Sequence, residues 1–182
     1  MNIDKLKANH SGIFHVGPSV AGVLINSYAG YHFYTAETPR LIDDLHSHMR
    51  SYTSTVMQGE VRNHIYEIQG TDPTSGLMLV NTDCVLLCGI GGCAASRVVQ
   101  RDLRVVKTDE IHTKQHMSYS LEYTDFHKFE LACEGPVITR IKQQPTKQHN
   151  TQIIVDESYL TNKCHPPEFS EDALWEMVRS TL

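Results

Sequence analysis

Patterns of hydrophobic and polar residues typical of strands recur along the chain. Residues 31–37 alternate large and small side chains, and the segments 102–111, 119–131 and 136–144 continue the β pattern. Residues 152–160 continue it, and they are predicted to close a sheet edge. The longest stretch, 41–68, is rich in β-branched and aromatic residues and is interrupted by Gln58-Gly59-Glu60. It therefore predicts a long strand, a tight turn and a return strand.

Helical patterns are confined to the two ends of the chain. Residues 19–30, which follow Pro18, predict a short helix or an ordered loop. Near the C-terminus, Ser170 precedes two acidic residues, as at a capped helix N-terminus. An apolar stripe follows, formed by Leu174, Trp175, Val178 and Leu182. The stripe indicates a helix packed on the sheet rather than a dimer contact. The prediction is an all-β fold with short terminal helices, in one domain over residues 1–182.

Composition narrows the classes of partner. Hydrophobic residues make up 40% and charged residues 20% of the chain, as in an ordinary globular protein. The net charge of -5 disfavours nucleic acid and anionic lipid as ligands. No apolar run is long enough for a signal peptide or a membrane span, so we expect a cytoplasmic protein with no membrane association.

The five cysteines are odd in number and form no Cys-x-x-Cys pair, which indicates reduced thiols. Cys84, Cys88 and Cys93 lie in an apolar context that favours a buried strand over a metal site. The glycine-rich stretch 89–96 fits neither nucleotide-binding fingerprint, and we interpret it as a connection.

The candidate chemistry begins with His46 and His48. Alternate side chains of a strand point to one face, so this pair is placed to share one ion. The same alternation carries Arg50, Tyr52 and the polar Ser54 onto that face. Because buried polar groups cost free energy unless they are paired, this lining indicates a pocket rather than a packed core.

A third ligand is needed, and His127, at the start of a later strand, is the best candidate. Arg140 follows on the next strand, where its fork of donors would hold a carboxylate. His64 and Tyr66 lie on the return strand, which is expected next to the His46 strand. We take Arg50, His64, Tyr66 and Arg140 as the candidate substrate-binding residues.

These residues resemble the first motif of the cupin superfamily, in which His-x-His is followed by a glutamate and then a glycine. Here three residues separate His48 from Tyr52, which stands in the place of the glutamate, and six more lead to Gly59. His127 matches the single histidine of the second cupin motif, without the Pro-x-Gly that often precedes it. The resemblance covers roughly residues 31–142.

The resemblance implies a cupin-like jelly roll, or double-stranded β-helix, whose mouth holds a metal on His46, His48 and His127. Cupins with three histidines and no carboxylate are similar to thiol dioxygenases, which implies Fe(II), with zinc, manganese or nickel as alternatives. Three neutral imidazoles leave a divalent ion positively charged, which suits an anionic substrate. Tyr52 would be the catalytic residue, donating a hydrogen bond to an oxygen species. A homodimer is also implied.

Two functions are therefore expected. The leading one is a metal-dependent cupin, an iron dioxygenase that acts on a small polar or anionic molecule. The alternative is a non-catalytic cupin-fold module that binds or sequesters a small anionic ligand, and a metal-dependent isomerase or lyase stays open. The long separation of His48 from His127 predicts that residues 70–116 are an insertion, a lid or a subunit contact, unless the third ligand is another residue.

Overall fold

Antiparallel strands make up most of what the computed structural model describes, which is residues 1–17, 19–40, 45–82, 97–145, 150–158 and 169–182. In chain order the elements are α1 (Ile3–Asn9), β1 (Gly12–Gly17), β2 (Val20–Asn26), β3 (Ala29–Tyr34), β4 (Leu45–His46), β5 (Tyr52–Gln58), β6 (Glu60–Thr71), β7 (Met78–Thr82), β8 (Arg97–Arg101), β9 (Leu103–Lys114), β10 (Ser118–Leu121), β11 (Phe126–Leu131), β12 (Val137–Gln143), β13 (Thr151–Val155) and α2 (Glu171–Thr181).

The strands form two sheets. One has the order β1-β2-β3-β12-β5-β10 and the other the order β8-β7-β13-β4-β11-β6-β9. Each sheet contains a run of four strands, β3-β12-β5-β10 in one and β4-β11-β6-β9 in the other. Within both runs, strands that come early in the chain, β3 to β6, pair only with strands that come late, β9 to β12. This interleaved order is that of a jelly roll, or double-stranded β-helix, which is also the fold of cupins. The predicted fold class is confirmed.

The core lies between the two sheets. Side chains from both sheets pack there, among them Val56 and Tyr119 of the six-stranded sheet and Val61 and Phe129 of the seven-stranded sheet. A second cluster covers the outer face of the six-stranded sheet, where Trp175 of α2 packs with Phe33 and Ile138. Strands β2, β3 and β12 are therefore covered on both faces.

The C-terminal helix follows the prediction closely. The Ser170 hydroxyl accepts a hydrogen bond from the Ala173 N–H at 3.2 Å, and Leu174, Trp175 and Val178 are buried. Leu182 is 48% exposed, and Thr181 takes the last buried place of the stripe. No helix among the described residues is both long enough and apolar enough to cross a membrane.

The N-terminal prediction is corrected. Residues 20–26 form β2 rather than a helix, and the helix lies earlier, in α1, where Asn2 accepts a hydrogen bond from the Lys5 N–H. Residues Val20 to Val23 are buried one after another. Because β2 is covered on both faces, it lacks the period-two pattern that marks a half-exposed strand.

The stretch after residue 44 is also corrected, because it is not one strand and its return. β4 ends at His46 in one sheet, the chain crosses, and β5 begins at Tyr52 in the other sheet. Gly59 does form the predicted turn, with φ +79°, but it joins strands of opposite sheets. β6 is separated from β4 by β11. Alternation along a strand predicts which face of the sheet a side chain takes. It does not predict which strand lies alongside.

Two further expectations change. β13 pairs with both β4 and β7, so it is not an edge strand. Residues 70–116 are not all insertion, because β9 is one of the eight jelly-roll strands, whereas β7 and β8 extend the seven-stranded sheet. The strand predicted around Cys84, Cys88 and Cys93 lies outside the described residues. The single domain over residues 1–182 stays a prediction.

The turn at Gly59 gives a test of the fold. A Cβ there would lie 2.7 Å from Val137 Cγ2 and 3.0 Å from Cys133 Sγ, in addition to adopting a left-handed backbone. We expect Gly59→Ala to lower the free energy of unfolding by about 2–4 kcal/mol, from backbone strain plus overpacking. Chemical denaturation measures this value.

Gly135→Ala is the matched control. Gly135 also has a positive φ, +90°, but a Cβ there would meet nothing within 4 Å. Its substitution should therefore cost only the backbone part, about 1–2 kcal/mol. Equal losses in the two variants would contradict the packing described around Gly59.

Candidate metal centre

The site is built on the pairing of β4 with β11. His46 is the last residue of β4, and His127 is its direct partner on β11. Their ring centroids lie 4.5 Å apart, and both side chains are almost completely buried, at 3% and 2% exposure. Directly paired residues of neighbouring strands point to the same face, so the two imidazoles share the inner side of the sheet.

His48 joins them from the segment that crosses between the sheets. Its Nε2 lies 2.9 Å from His127 Nε2, and its ring centroid lies 4.8 Å from that of His46. The three potential ligand nitrogens all lie within 4.8 Å of one another. Two nitrogens bound to one zinc ion in tetrahedral geometry are about 3.4 Å apart. Small side-chain rotations therefore suffice to place all three histidines on one ion.

Asn63 sets the orientation of His127. Its Oδ1 lies 2.9 Å from His127 Nδ1 and can only accept, so Nδ1 carries the proton. In the neutral ring this leaves the lone pair on Nε2, which faces His48. Asn63 is fully buried on the inner face of β6. A buried partner on the far nitrogen is the usual way in which proteins fix a histidine ligand.

The surroundings of His48 and His127 disfavour the protonated form of these two rings. Burial lowers the pKa of His127 well below its ordinary value, and His46 and His48 lower it further. Burial is also the main reason why the pKa of His48 is lowered, with contributions from His46 and His32. Neutral imidazole is the form that binds metal ions. The donor set of three nitrogens suits zinc, iron, copper and nickel.

A cavity of about 390 Å³ opens beside the cluster between the two sheets. All three histidines line it, together with Tyr52, whose ring centroid is 4.6 Å from that of His48. Arg50 also lines it, as predicted from the alternation, and donates a hydrogen bond from Nη1 to the Gln144 carbonyl at 3.2 Å. The structure therefore brings the predicted ligands, the predicted catalytic tyrosine and one predicted substrate-binding residue together.

The other three predicted substrate-binding residues lie elsewhere. His64 is on the outer face of β6, where its Nδ1 lies 3.1 Å from Glu110 Oε2 and its Nε2 lies 2.8 Å from Glu130 Oε2. Tyr66 is on that same face and packs against an outer apolar cluster. Arg140 is exposed on β12, because its neighbour Thr139 takes the inward position. The expectation that these three line the pocket is corrected. Side chains alternate between the two faces of a strand, and each of these residues lies an odd number of positions from the inward-facing residues of its strand.

Two inward residues were missed by the sequence reasoning. Asn63 and His32 carry no signal of their own, since an asparagine or a histidine in a strand has many uses. Asn63 becomes recognisable only once β6 and β11 are paired, with Asn63 opposite Phe129. His32 becomes recognisable only once β3 is paired with β12, which places it opposite Thr139.

Comparisons with known proteins concern the fold. No protein-family model matches the sequence, and no curated protein is significantly similar to it. Drosophila melanogaster CENP-C bound to CAL1 is similar over 72% of this chain and 75% of that chain, at 8% identity and a TM-score of 0.43. Hydroquinone 1,2-dioxygenase from Sphingomonas sp. TTNP3, with 4-hydroxybenzoate bound, is similar over 65% and 60%, at 13% identity and a TM-score of 0.38. A conserved Klebsiella pneumoniae protein with a double-stranded β-helix domain is similar over 83% and 92%, at 14% identity and a TM-score of 0.39.

The role of Asn63 can be tested by its substitution. Asn63→Leu keeps the volume but removes the acceptor of His127 Nδ1–H, so the ring loses its fixed tautomer. We expect zinc affinity, measured by competition with a chelator, to fall about 10- to 100-fold. Asn63→Asp restores an acceptor at the same position and should recover most of the loss. Wild-type affinity in the leucine variant would contradict this role.

His32 gives a test in the pH dependence of stability. Burial lowers its pKa from 6.5 to about 4. Between these values the unfolded chain binds the proton and the folded chain does not, so stability falls as the pH drops from 6.5 to about 4. The His32→Gln variant lacks this buried imidazole. Its free energy of unfolding should therefore fall less than that of the wild-type protein over that pH range. Identical pH profiles for the two proteins would contradict the assignment.

Proposed function

We propose that this cupin-like jelly roll is a metal-dependent enzyme, an Fe(II) dioxygenase that acts on a small polar or anionic molecule. The observation that carries the proposal is the convergence of three imidazoles, two buried and one partly buried, beside a cavity of about 390 Å³. That volume falls in the range of small-molecule sites. A histidine cluster that served only the core would have no need of an adjoining space.

The chain's own residues fit the ion. His46, His48 and His127 would hold it through ring nitrogens, and within the described part of the chain no carboxylate joins this group. Ferrous iron with three imidazole ligands supplies open positions at which a substrate and dioxygen can bind. Because the ligands are neutral, the loaded site keeps the positive charge of the ion and favours an anionic substrate.

The surrounding residues have separate tasks. Asn63 holds the proton of His127 on Nδ1 and so keeps Nε2 free to bind. Tyr52, 7% exposed and stacked edge-on against His48, is the catalytic residue that we propose, as a hydrogen-bond donor toward the reacting molecule. The apolar side chains around the cavity exclude water. The small-molecule ligand is part of this proposal, and the homodimer stays a prediction.

A second function is favoured by a specific contact. The Nε2 atoms of His48 and His127, 2.9 Å apart, form a hydrogen bond that holds these rings together without an ion. A cluster that is stable in this form is also suited to a non-catalytic module that binds a small anion in the cavity. Metal content separates the two functions, because only the enzyme requires the ion.

Metal binding is the direct test. Purified protein loaded with Fe(II) without oxygen should bind one ion per chain, measured by elemental analysis. His46→Ala and His127→Ala should each weaken binding by about a hundredfold or more, because each removes a ligand. His112→Ala is the control, since His112 is exposed on β9 and pairs with Glu60. Iron retained in both cluster variants would place the metal elsewhere.

Oxygen uptake then distinguishes the two functions. The iron-loaded protein should consume dioxygen when small organic anions are supplied, and Tyr52→Phe should slow this consumption while leaving the iron content unchanged. If the protein takes up no iron and still binds such anions, the binding module is the correct function.

A further inference from the structure

The cavity beside the three histidines has aromatic walls. Seven of the residues that line it are phenylalanine or tyrosine: Phe14, Tyr28, Tyr31, Tyr34, Tyr52, Tyr119 and Phe129. The ring of Phe14 lies directly over Gly22, where a Cβ would come within 2.4 Å of it. Glycine at this position therefore leaves room for the far edge of the ring, its Cζ, Cε1 and Cε2 atoms, where any side chain would clash.

The cavity carries little polarity and one sign of charge. Among the described residues that line it there is no aspartate, glutamate or lysine, and Arg50 is the single permanent charge. Binding a cation would require a carboxylate, which the described lining lacks. The walls instead favour rings, which gain from edge-to-face and offset contacts beyond the burial of area.

Arg50 determines the charge of the ligand. Its guanidinium lies over the Tyr28 ring, 5.4 Å from the centroid, and gives one hydrogen bond to the Gln144 carbonyl. No carboxylate of the described residues forms an ion pair with it. Most of its five donors therefore remain for a ligand, and their planar fork matches a carboxylate.

Size limits the ligand to a small ring system. An apolar cavity of about 150 Å³ is enough to hold benzene. The cavity here measures about 390 Å³, so it holds one substituted ring or two fused rings.

We infer that the site takes an aromatic monoanion of one or two rings, with its ring against the aromatic walls and its carboxylate on Arg50. This inference rests on the proposed function, because it names the substrate class of the same cavity. The predicted small anionic molecule is thereby narrowed to an aromatic acid. Aliphatic acids of equal charge and neutral aromatic amides each lack one of the two features that the cavity recognises.

The test uses benzoate, cyclohexanecarboxylate and benzamide as probes, with affinities measured by calorimetry in metal-free and zinc-loaded protein. Benzoate should bind about three- to tenfold more tightly than cyclohexanecarboxylate, because the ring contacts are lost in the latter. It should bind about tenfold more tightly than benzamide, which lacks the charge. Phe14→Leu, which keeps an apolar side chain of similar size, should reduce the preference for benzoate over cyclohexanecarboxylate.

The charge is tested by a matched pair of variants. Arg50→Gln should weaken benzoate binding about tenfold and leave benzamide binding unchanged. Arg140→Gln makes the same change on the exposed face of β12 and should leave both affinities within twofold. A similar loss in the two variants would show that general electrostatic attraction, rather than Arg50, selects the anion, and would overturn the inference.

The outcomes separate this inference from the proposed function. If zinc or iron binds at the histidines and benzoate shows no preference over cyclohexanecarboxylate, the inference is wrong and the proposed function stands. If benzoate binds in an Arg50-dependent manner to a protein that takes up no metal, the inference stands and the proposed function is wrong.

Discussion

The antiparallel pairing of β11 between β4 and β6 is the constraint on which the site depends. It places His127 directly opposite His46 on one side and Ile65 on the other, with Asn63 two residues before Ile65 on β6. A one-residue slip would turn His127 to the outer face and bring Phe126 inward, because side chains alternate along a strand. The outer apolar cluster that contains Phe126 opposes such a slip. The same packing that stabilises the sheet therefore fixes the position of the histidine.

This arrangement places several polar rings in an apolar interior, where each needs a partner. Two hydrogen bonds lie within the cluster: Asn63 accepts from His127, and His48 and His127 share a hydrogen bond. Because burial disfavours the charged form, the pKa values of His48 and His127 are lowered, and these two rings need no carboxylate to balance them. A glutamate among them would add a negative charge to the cavity. Among the described residues that line the cavity, Arg50 instead carries the one permanent charge, which is positive.

Sequence patterns predicted the parts of this site that depend on neighbouring residues. The shared direction of His46 and His48, the turn at Gly59 and the cap at Ser170 all follow from spacings of a few residues. The partners of each strand depend instead on contacts between distant parts of the chain, and in a jelly roll every core pairing is of that kind. Arg140 and Tyr66 were therefore assigned to the pocket when their strands turn them outward. Asn63 was missed because its role exists only through β11.

The strand pattern predicted correctly that His48 faces the same way as His46, but the regular strand it assumed does not reach His48. β4 ends at His46, so His48 belongs to the crossing between the sheets and not to a strand. Its neighbour Ser47 is still held in the sheet, through an N–H hydrogen bond to the Gln152 carbonyl, which aims the chain so that His48 faces the cavity. His46 and His127 are fixed by ladder pairing and are almost fully buried, whereas His48 is only partly buried. Two of the three histidines are thus held rigidly and the third can adjust. If an ion were bound, the 2.9 Å between His48 Nε2 and His127 Nε2 would lengthen toward about 3.4 Å, and His48 is the residue that could move. A chain crossing, unlike a paired strand, allows that movement without breaking the sheet.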